Sequence, residues 1–345
     1  MISVEDQREL VASIRDFVDA KIDQVPSGES VHEITVFLDS VARELKSLGV
    51  VGPEETGLWR CGYAMTAGVL SQLARLDAGL AFVLHRQALL SVVCEDREGW
   101  GVDSSVGSCW HGRYGIGRGG LRIWWQQPEQ VPAELIDVFD ARSARLVLIH
   151  EAQHQVLLPV WSPQGLYLYR VDVSRLPQVP HLGLCYLRAV QVVPEFGERL
   201  EPTLSARWSQ QCWQQEWLAL LSIQYGCLVQ ALERARAYSQ IRKQGGCMIA
   251  AHPAVQQLLG EAEHALMTMC MFLDQTQETP AFEFSLLRQR PYLDAMIRKG
   301  LDACLQVLGG SGYMLDAGLA RPWQDVHTLG QLSGGRLDML ALAAS

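Results

Sequence analysis

The sequence lacks any apolar run of the roughly 20 residues that a membrane-spanning helix needs. It also lacks a basic excess, since 29 Lys and Arg residues stand against 38 Asp and Glu residues, for a formal net charge of −9. An acidic chain without a basic block is poorly suited to bind nucleic acid or an anionic membrane surface. We therefore expect neither a nucleic acid nor a membrane among the partners of this 345-residue protein.

The nine cysteines and nine histidines lack the spacing of a metal site or a disulfide framework. No CxxC pair occurs, and the number of cysteines is odd. We expect reduced thiols in a cytoplasmic protein and no bound metal. The first residues, MISVEDQRELVASIRDF, are acidic and amphipathic, which predicts a helix rather than a secretory signal.

Helical periodicity dominates the first part of the chain, which we predict to be an N-terminal helical domain over residues 1–102. In the second predicted helix, Val36, Leu38, Val41, Leu45 and Leu48 fall roughly on one face, and Gly49 provides a C-terminal stop. The predicted helices are 5–22, 31–48, about 63–75, and a fourth that begins after Asp77.

The pattern changes over residues 103–205, which carry many glycines and prolines. Short runs rich in Val, Leu and Tyr are bounded by turn residues, and this spacing predicts a small antiparallel β-domain. The predicted strands are 145–150, 155–158, 166–173 and 187–193, with 121–127 as a further candidate.

The helical period returns from residue 206 and predicts a C-terminal four-helix bundle over 206–345. Glycines at 309–312 separate the last two helices. The predicted helices are 207–242, 252–279, 283–308 and 322–343. The fold class is therefore mainly α with a small β-domain.

One glycine-rich segment matches the sequence pattern of a dinucleotide-binding loop. Gly115, Gly117 and Gly120 match the GxGxxG pattern, which binds a pyrophosphate when a strand precedes it and a helix follows. Here a poor strand precedes and a strand-like run with a proline follows. The segment is therefore predicted to be a flexible turn.

Two segments of the C-terminal half resemble one known family. Residues 238–256 read YSQIRKQGGCMIAAHPAVQ, residues 306–313 read QVLGGSGY, and residues 321–325 read RPWQD. They are similar to acyl-CoA dehydrogenase segments in which an Arg-Lys-Gln-Phe-Gly turn joins two helices and Gln-x-x-Gly-Gly-x-Gly-Tyr is followed by Arg-x-x-Arg-Asp. The resemblance covers most of the chain and is sharpest over 216–325, with a middle domain that looks shortened.

The physics of these motifs agrees with a nucleotide site. Glycine turns let the backbone approach a ligand closely and point N–H groups at phosphate, and an arginine can neutralise a pyrophosphate. The resemblance implies FAD, a subunit interface across which its ADP part is held, and therefore a homodimer or homotetramer. The implied cofactor-binding residues are Arg242, Gln306, Gly309, Gly310 and Gly312, with Trp124 and Trp125 as the nearest candidates for the segment that lines the flavin ring.

Dehydrogenation of an acyl thioester needs a carboxylate that removes the α-proton. Most members of the family place this glutamate after the Arg-Asp element, and alignment on Asp325 puts Ser333 near that position, where no acid stands. A minority branch carries it on the first long bundle helix, and Glu216 occupies that register, 22 residues before Tyr238 and 10 before Gly226. Glu216 is therefore the candidate catalytic base, although Trp217 replaces the arginine that usually follows it in that branch.

The resemblance implies an FAD-dependent dehydrogenase that acts on acyl-CoA or on an acyl thioester of a carrier protein. Several family contacts differ, since Gly245, Pro253 and Gln324 stand where the family has phenylalanine, glutamine and arginine. An alternative therefore stays open. In that interpretation the chain has lost flavin redox function and performs non-redox proton chemistry on an acyl thioester, or acts as a partner subunit.

Overall fold

The computed structural model describes residues 3–26, 30–51, 57–93, 104–106, 141–142, 144–162, 165–204, 206–276 and 280–333. Helices come first, strands follow, and helices return. This order agrees with the predicted fold class. The domain limits at residues 102 and 205, and the shortening of the middle domain, stay predictions.

Four helices form the N-terminal part. Ser3 caps the first by accepting from the backbone of Asp6, whose carboxylate bonds back to the cap. The second buries Leu38, Val41 and Leu45 of the predicted stripe, because one apolar face of an amphipathic helix packs inward. The stripe was wrong at Val36 and Leu48, which are exposed. The helices are α1 (Val4–Lys21), α2 (Val31–Ser47), α3 (Tyr63–Leu76) and α4 (Ala78–Val93).

The strands form two sheets. One has the order β1-β3-β4-β7 and the other the order β2-β6-β5. All pairs are antiparallel except β1 with β3, which is parallel, so the first sheet is mixed rather than wholly antiparallel as predicted. The strands are β1 (Ser104–Val106), β2 (Arg145–Ile149), β3 (Gln155–Ser162), β4 (Gly165–Asp172), β5 (Gln178–Val179), β6 (Arg188–Val192) and β7 (Glu198–Leu204).

Strand β7 was not predicted. Its sequence, ERLEPTL, has three charged residues and Pro202, so only Leu200 and Leu204 give it an apolar face. Proline is tolerated in a sheet at an edge or a bulge. The strand lies at the edge of its sheet, and its register with β4 shifts between Leu166 and Leu168.

The C-terminal helices are α5 (Ala206–Ile241), α6 (Pro253–Leu273), α7 (Pro280–Leu308) and α8 (Ala320–Leu329). A short hairpin of β8 (Lys243–Gln244) and β9 (Cys247–Met248) joins α5 to α6 where the sequence predicted a plain turn. Helix α6 ends before the predicted residue 279, and α8 ends before the predicted residue 343. Residues 334–345 lie outside the described part.

The two long helices α5 and α7 run parallel. Gln224 donates to Asp294 at 2.8 Å, and a Cβ at Gly300 would meet Leu228 at 3.1 Å, so both residue numbers increase in the same direction. Helix α6 returns between them. The C-terminal ends of α5 and α7 therefore lie at the same end of the bundle.

Gly226 brings α5 against α3. A Cβ at this position would lie 2.1 Å from the carbonyl oxygen of Ser71, so only a glycine lets the two helix backbones come this close. One continuous hydrophobic cluster extends through the N-terminal helices, the strands and the bundle. The bundle therefore cannot be separated from the N-terminal helices without opening the core.

A buried junction joins all three parts. The Asp325 carboxylate in α8 accepts from the backbone N–H of Leu184, and a Cβ at Gly183 would lie 2.5 Å from the carbonyl oxygen of Gln324. Asp77, which caps α4 through Leu80 at 2.8 Å, lines the same cavity of about 90 Å³ as Asp325.

The two carboxyl groups in this cavity, Asp77 and Asp325, tend to stay protonated. Burial, and then the neighbouring Asp77, raise the pKa of Asp325 to about 8. Burial also raises the pKa of Asp77, although Leu80 and Arg321 oppose it. Two carboxylates in one buried site cannot both ionise cheaply, so we assign at least one proton to the pair at neutral pH.

Candidate active site

Glu216 lies inside the protein, where α5 faces α4. Only 4% of the residue is exposed. The flanking apolar positions of α5, including Leu218 and Leu220, are completely buried, so the helix carries its glutamate into the core rather than to a solvated face. A buried carboxylate is costly unless it is paired and hydrogen-bonded.

Three side chains donate to the Glu216 carboxylate. Arg86 and His85 come from α4, and His85 Nε2 lies 2.8 Å from Oε2. The hydroxyl of Ser333 donates to Oε1 at 2.8 Å. The two residues that the sequence resemblance placed at or near the alternative base positions, Glu216 and Ser333, are therefore joined by one hydrogen bond.

The tautomer of His85 follows from its second neighbour. The indole Nε1 of Trp59 lies 3.0 Å from His85 Nδ1. An indole nitrogen can only donate, so Nδ1 is the acceptor and Nε2 carries the proton. Burial lowers the pKa of His85, although Glu216 opposes this. His85 is therefore a neutral donor to Glu216.

These partners decide the charge of Glu216. Burial by itself would raise the pKa of Glu216, but Arg86, then His85 and Ser333, lower it to about 2. The carboxylate is consequently ionised at neutral pH. It can take up a proton readily only after one of its three donors has turned away, because each donor stabilises the charged form.

Trp217, which stands where the minority branch has an arginine, has a structural role. Its indole Nε1 donates to the carbonyl oxygen of Ser333 at 2.7 Å, and Arg290 donates to the same oxygen at 3.0 Å. Trp217 therefore holds the residue that bonds to Glu216. In the minority branch an arginine follows the glutamate directly. Here Trp217 takes that position, and the cation that shares its acceptor, the Ser333 carbonyl oxygen, is Arg290 from α7.

The predicted cofactor-binding residues lie at the far end of the bundle. Arg242, Gln306 and Gly310 are exposed. Because α5 and α7 are parallel, the hairpin after α5 and the 3₁₀ turn Gly309–Tyr313 after α7 share this end. At about 1.5 Å per residue, about 38 Å of helix axis separates Glu216 from Ile241.

The glycines at these bends fall into two kinds. Gly246 and Gly309 have positive φ angles of 88° and 59°, and a Cβ added at Gly246, Gly309 or Gly310 would meet nothing within 4 Å. Their backbone is open to a close ligand. Gly312 is buried, and a Cβ there would lie 2.7 Å from the carbonyl oxygen of Leu305, so this glycine has a packing reason.

Other predicted features fall outside the described residues. These are Trp124 and Trp125, and the glycine-rich segment over 115–120. Among the described residues, no three or more His, Cys, Asp or Glu side chains gather as metal ligands, and no helix there is long and apolar enough to cross a membrane. The seven cysteines in those ranges are free thiols.

Sequence reasoning did not identify the partners of Glu216. The available signal was His85-Arg86-Gln87, three polar residues within the otherwise apolar run from Leu80 to Leu90. Polar groups inside a buried helix need partners. The partner could not be assigned from the sequence, because it lies 130 residues further along the chain.

The chain has recognisable relatives. A family model described as the acyl-CoA dehydrogenase C-terminal domain matches residues 207–339. That part of the chain is similar to the C-terminal domain of acyl-CoA dehydrogenases. The resemblance seen in the sequence is confirmed, and no curated protein matches in sequence.

Solved structures show the same fold over the whole chain. Glutaryl-CoA dehydrogenase from Mycobacterium smegmatis superposes with a TM-score of 0.76 at 16% identity, covering 100% of this chain and 94% of that one. Butyryl-CoA dehydrogenase from Megasphaera elsdenii gives 0.71 at 13%, covering 100% and 98%. The FAD complex of PigA gives 0.68 at 13%, also covering 100% and 98%. The predicted fold class is thereby confirmed.

Proposed function

We propose that the protein is an FAD-dependent dehydrogenase of acyl thioesters in which Glu216 removes the α-proton. The observation that carries the proposal is the 2.8 Å contact between Ser333 and Glu216. It joins the two positions at which the family resemblance places a base, within a buried cluster whose carboxylate is ionised. A carboxylate held in a dry site can act as a general base.

The residues around Glu216 have different roles in this proposal. Arg86 and His85 hold the carboxylate in one orientation from α4, and the apolar walls of α4 and α5 exclude water. Oε1 accepts the α-proton once the Ser333 hydroxyl has turned away from it. FAD, when bound, would supply the chemistry that accepts the β-hydride.

The bends at the bundle end suit the diphosphate of FAD. Arg242 and Lys243 are exposed cations, and the backbone at Gly309 and Gly310 is open to a close ligand. Two cations beside glycine backbone that a ligand can approach closely match the negative charge of a diphosphate. We propose these residues, with Gln306, as the contacts to the ADP part.

The separation of about 38 Å exceeds the reach between the ring and the diphosphate of one FAD. One flavin would therefore use Glu216 of one copy and the bends of another, in a homodimer or homotetramer. The bundle end also exposes large apolar side chains, as interfaces do. These are Ile241, Met248, Tyr313, Met314 and Leu315.

The proposed substrates are acyl-CoA and acyl-carrier-protein thioesters, since both present the same thioester to the site. The test is to purify the protein with added FAD, record its flavin spectrum and oligomeric mass, and add butyryl-CoA, glutaryl-CoA and the corresponding pantetheine thioesters. We expect a yellow oligomer whose flavin is bleached by at least one thioester. A colourless protein that stays colourless after incubation with FAD would refute the redox function.

One observation favours a second candidate. Glu216 is neutralised by Arg86 and has a pKa lowered to about 2, which also suits a buried charge with a structural role. A chain without flavin would then perform non-redox proton chemistry on a thioester or serve as a partner subunit. Thioester α-proton exchange by colourless protein would support the first of these forms, and its absence the second.

A further inference from the structure

Ser333 has a backbone conformation that few residues adopt. Its φ is +52°, in the left-handed region that a non-glycine residue occupies only when its surroundings hold it there. The residue is completely buried. The structure therefore fixes this turn for a reason beyond chain direction.

Two buried donors hold the turn. The Ser333 carbonyl oxygen accepts from Trp217 Nε1 at 2.7 Å and from Arg290 at 3.0 Å. Arg290 also donates to the carbonyl oxygen of Leu332 at 2.7 Å. Arg290 is itself completely buried and lies 3.6 Å from Asp294. Two successive carbonyl groups are thus fixed, while the Ser333 side chain keeps its one rotatable bond.

We propose that Ser333 is a positioning residue that occupies one of the two acceptor positions of Glu216 Oε1, the other being taken by Arg86. When an acyl thioester arrives, rotation of the Ser333 hydroxyl frees its position while Arg86 keeps the other. This inference rests on the proposed function. It assigns to Ser333 a role that differs from those of Arg86 and His85, which keep the carboxylate in place throughout.

The geometry singles out Ser333 among the three donors. His85 is fixed on its other nitrogen by Trp59 at 3.0 Å, and the guanidinium of Arg86 stacks over Phe82 at 4.8 Å from the ring centroid. Both stand on a buried helix. A serine hydroxyl instead changes its direction by a rotation between staggered positions, and this movement leaves the clamped backbone unchanged.

The proton balance is simple. The α-C–H bond of the thioester breaks, its electron pair stays on the thioester as an enolate, and the proton passes to Oε1 of Glu216. In exchange without oxidation, the proton returns to the α-carbon. In dehydrogenation, FAD would be the oxidant that receives the hydride leaving the β-carbon, and the enolate electron pair would then form the Cα–Cβ double bond. Ser333 neither gains nor loses a proton.

The test is the variant Ser333→Ala, with Ser222→Ala as the matched control. Ser222 is a completely buried serine of the same helix as Glu216, and its hydroxyl donates to the backbone of Leu218 at 2.7 Å. The FAD-loaded proteins are titrated by infrared spectroscopy, and the carboxylate band is assigned by difference against Glu216→Gln. Deuterium exchange at the α-carbon of butyryl-CoA is followed over the same pH range by mass spectrometry.

We expect Ser333→Ala to raise the pKa of Glu216 by about 1–2 units, because a hydrogen bond to a charged group is lost. The acid limb of the exchange profile moves by the same amount, and Ser222→Ala changes neither. Ser333→Cys, a weaker donor, gives an intermediate shift and serves if the alanine variant does not fold.

The outcomes separate the two hypotheses. Exchange that depends on Glu216 but keeps its acid limb in Ser333→Ala and Ser333→Cys overturns the role of Ser333 and leaves the proposed function standing. No exchange with any thioester in the wild-type protein overturns the proposed function, and the role of Ser333 falls with it, whatever the infrared titration shows.

Discussion

Arg86 and Glu216 form an ion pair in which both side chains are almost completely buried, with 4% and 5% of their surface exposed. The pair links α4 to α5 across 130 residues of sequence. Removing one partner of a buried pair leaves an uncompensated charge, which costs far more than the loss of a surface pair. This relationship makes the candidate base a structural residue as well.

Glu216→Gln is therefore expected to have two effects. α-Proton exchange falls by about 10²–10⁴-fold, the usual contribution of a general base. The free energy of unfolding falls by about 3–5 kcal/mol, because the buried ion pair between Arg86 and Glu216 is lost. Chemical denaturation and the exchange assay measure the two separately.

The double variant Arg86→Met with Glu216→Gln is the matched control. The double variant also removes the positive charge of Arg86, so part of the lost free energy of unfolding should return. Exchange stays as low as in Glu216→Gln. Full exchange activity in Glu216→Gln would remove this residue from the mechanism.

The pH dependence of stability has two opposite contributions. The pKa of Glu216 is lowered in the folded state to about 2, so its contribution is present above the unfolded pKa of about 4.3 and is lost as pH falls towards 2. The pKa of Asp325 is raised to about 8. Its contribution is fully present below about pH 3.9 and is lost as pH rises through 8.

Between about pH 4 and 8, the free energy of unfolding of the wild type should fall as pH rises. Asp325→Asn should make this slope shallower, by up to about 1.4 kcal/mol per pH unit. An asparagine can still accept from the backbone N–H of Leu184 without carrying a charge. The groups that face Asp325 are Asp77, Cys185, Cys227, Arg234 and Arg321. The exposed Asp16→Asn is the control, and equal pH slopes for wild type and Asp325→Asn would contradict the assignment.

Gly226→Ala should destabilise the protein by about 1–3 kcal/mol, the usual cost of overpacking. The added Cβ would lie 2.1 Å from the Ser71 carbonyl oxygen, so α3 and α5 must move apart. Gly260→Ala in α6 is the control, since its Cβ would meet nothing within 4 Å. It should stabilise by about 0.5–1 kcal/mol, because alanine is the better helix former. Thermal and urea unfolding distinguish the two.

Arg242→Ala should weaken FAD binding by about 10-fold or more, because a charge-assisted contact to phosphate is lost. The fold should be unchanged, since the side chain is exposed. Arg236→Ala is the control, because Arg236 lies near the same end of the bundle but pairs with Glu263 at 2.6 Å. Flavin titration by fluorescence measures both, and equal affinities would exclude Arg242 from the site.

Combining two impaired variants in one dimer tests whether one flavin site is shared between two subunits. If one flavin uses Glu216 of one copy and Arg242 of another, a mixed dimer of Glu216→Gln and Arg242→Ala contains one intact site. We expect co-expressed mixed dimers to recover up to about half of the wild-type activity per dimer. Recovery no greater than that of the separate variants would place both residues in one subunit's site.

The sequence predicted most elements because their patterns are local. Periodicity and the glycine stop predicted both ends of the first three helices, and the start of the fourth, to within a residue. The pattern failed at β7, where a proline and charged residues are tolerated only because the strand lies at a sheet edge. It failed again at the end of α8, because helical periodicity does not define where tertiary packing stops a helix.

By itself, the sequence determined the order of helices and strands, the family resemblance over 216–325, and the two positions, Glu216 and Ser333, at which a base is expected. The tertiary structure decided the charge of that base. Arg86, His85 and Trp59 reach the site from elements more than a hundred residues away. A pKa depends on burial and on neighbouring charges in space, and no local sequence pattern encodes either.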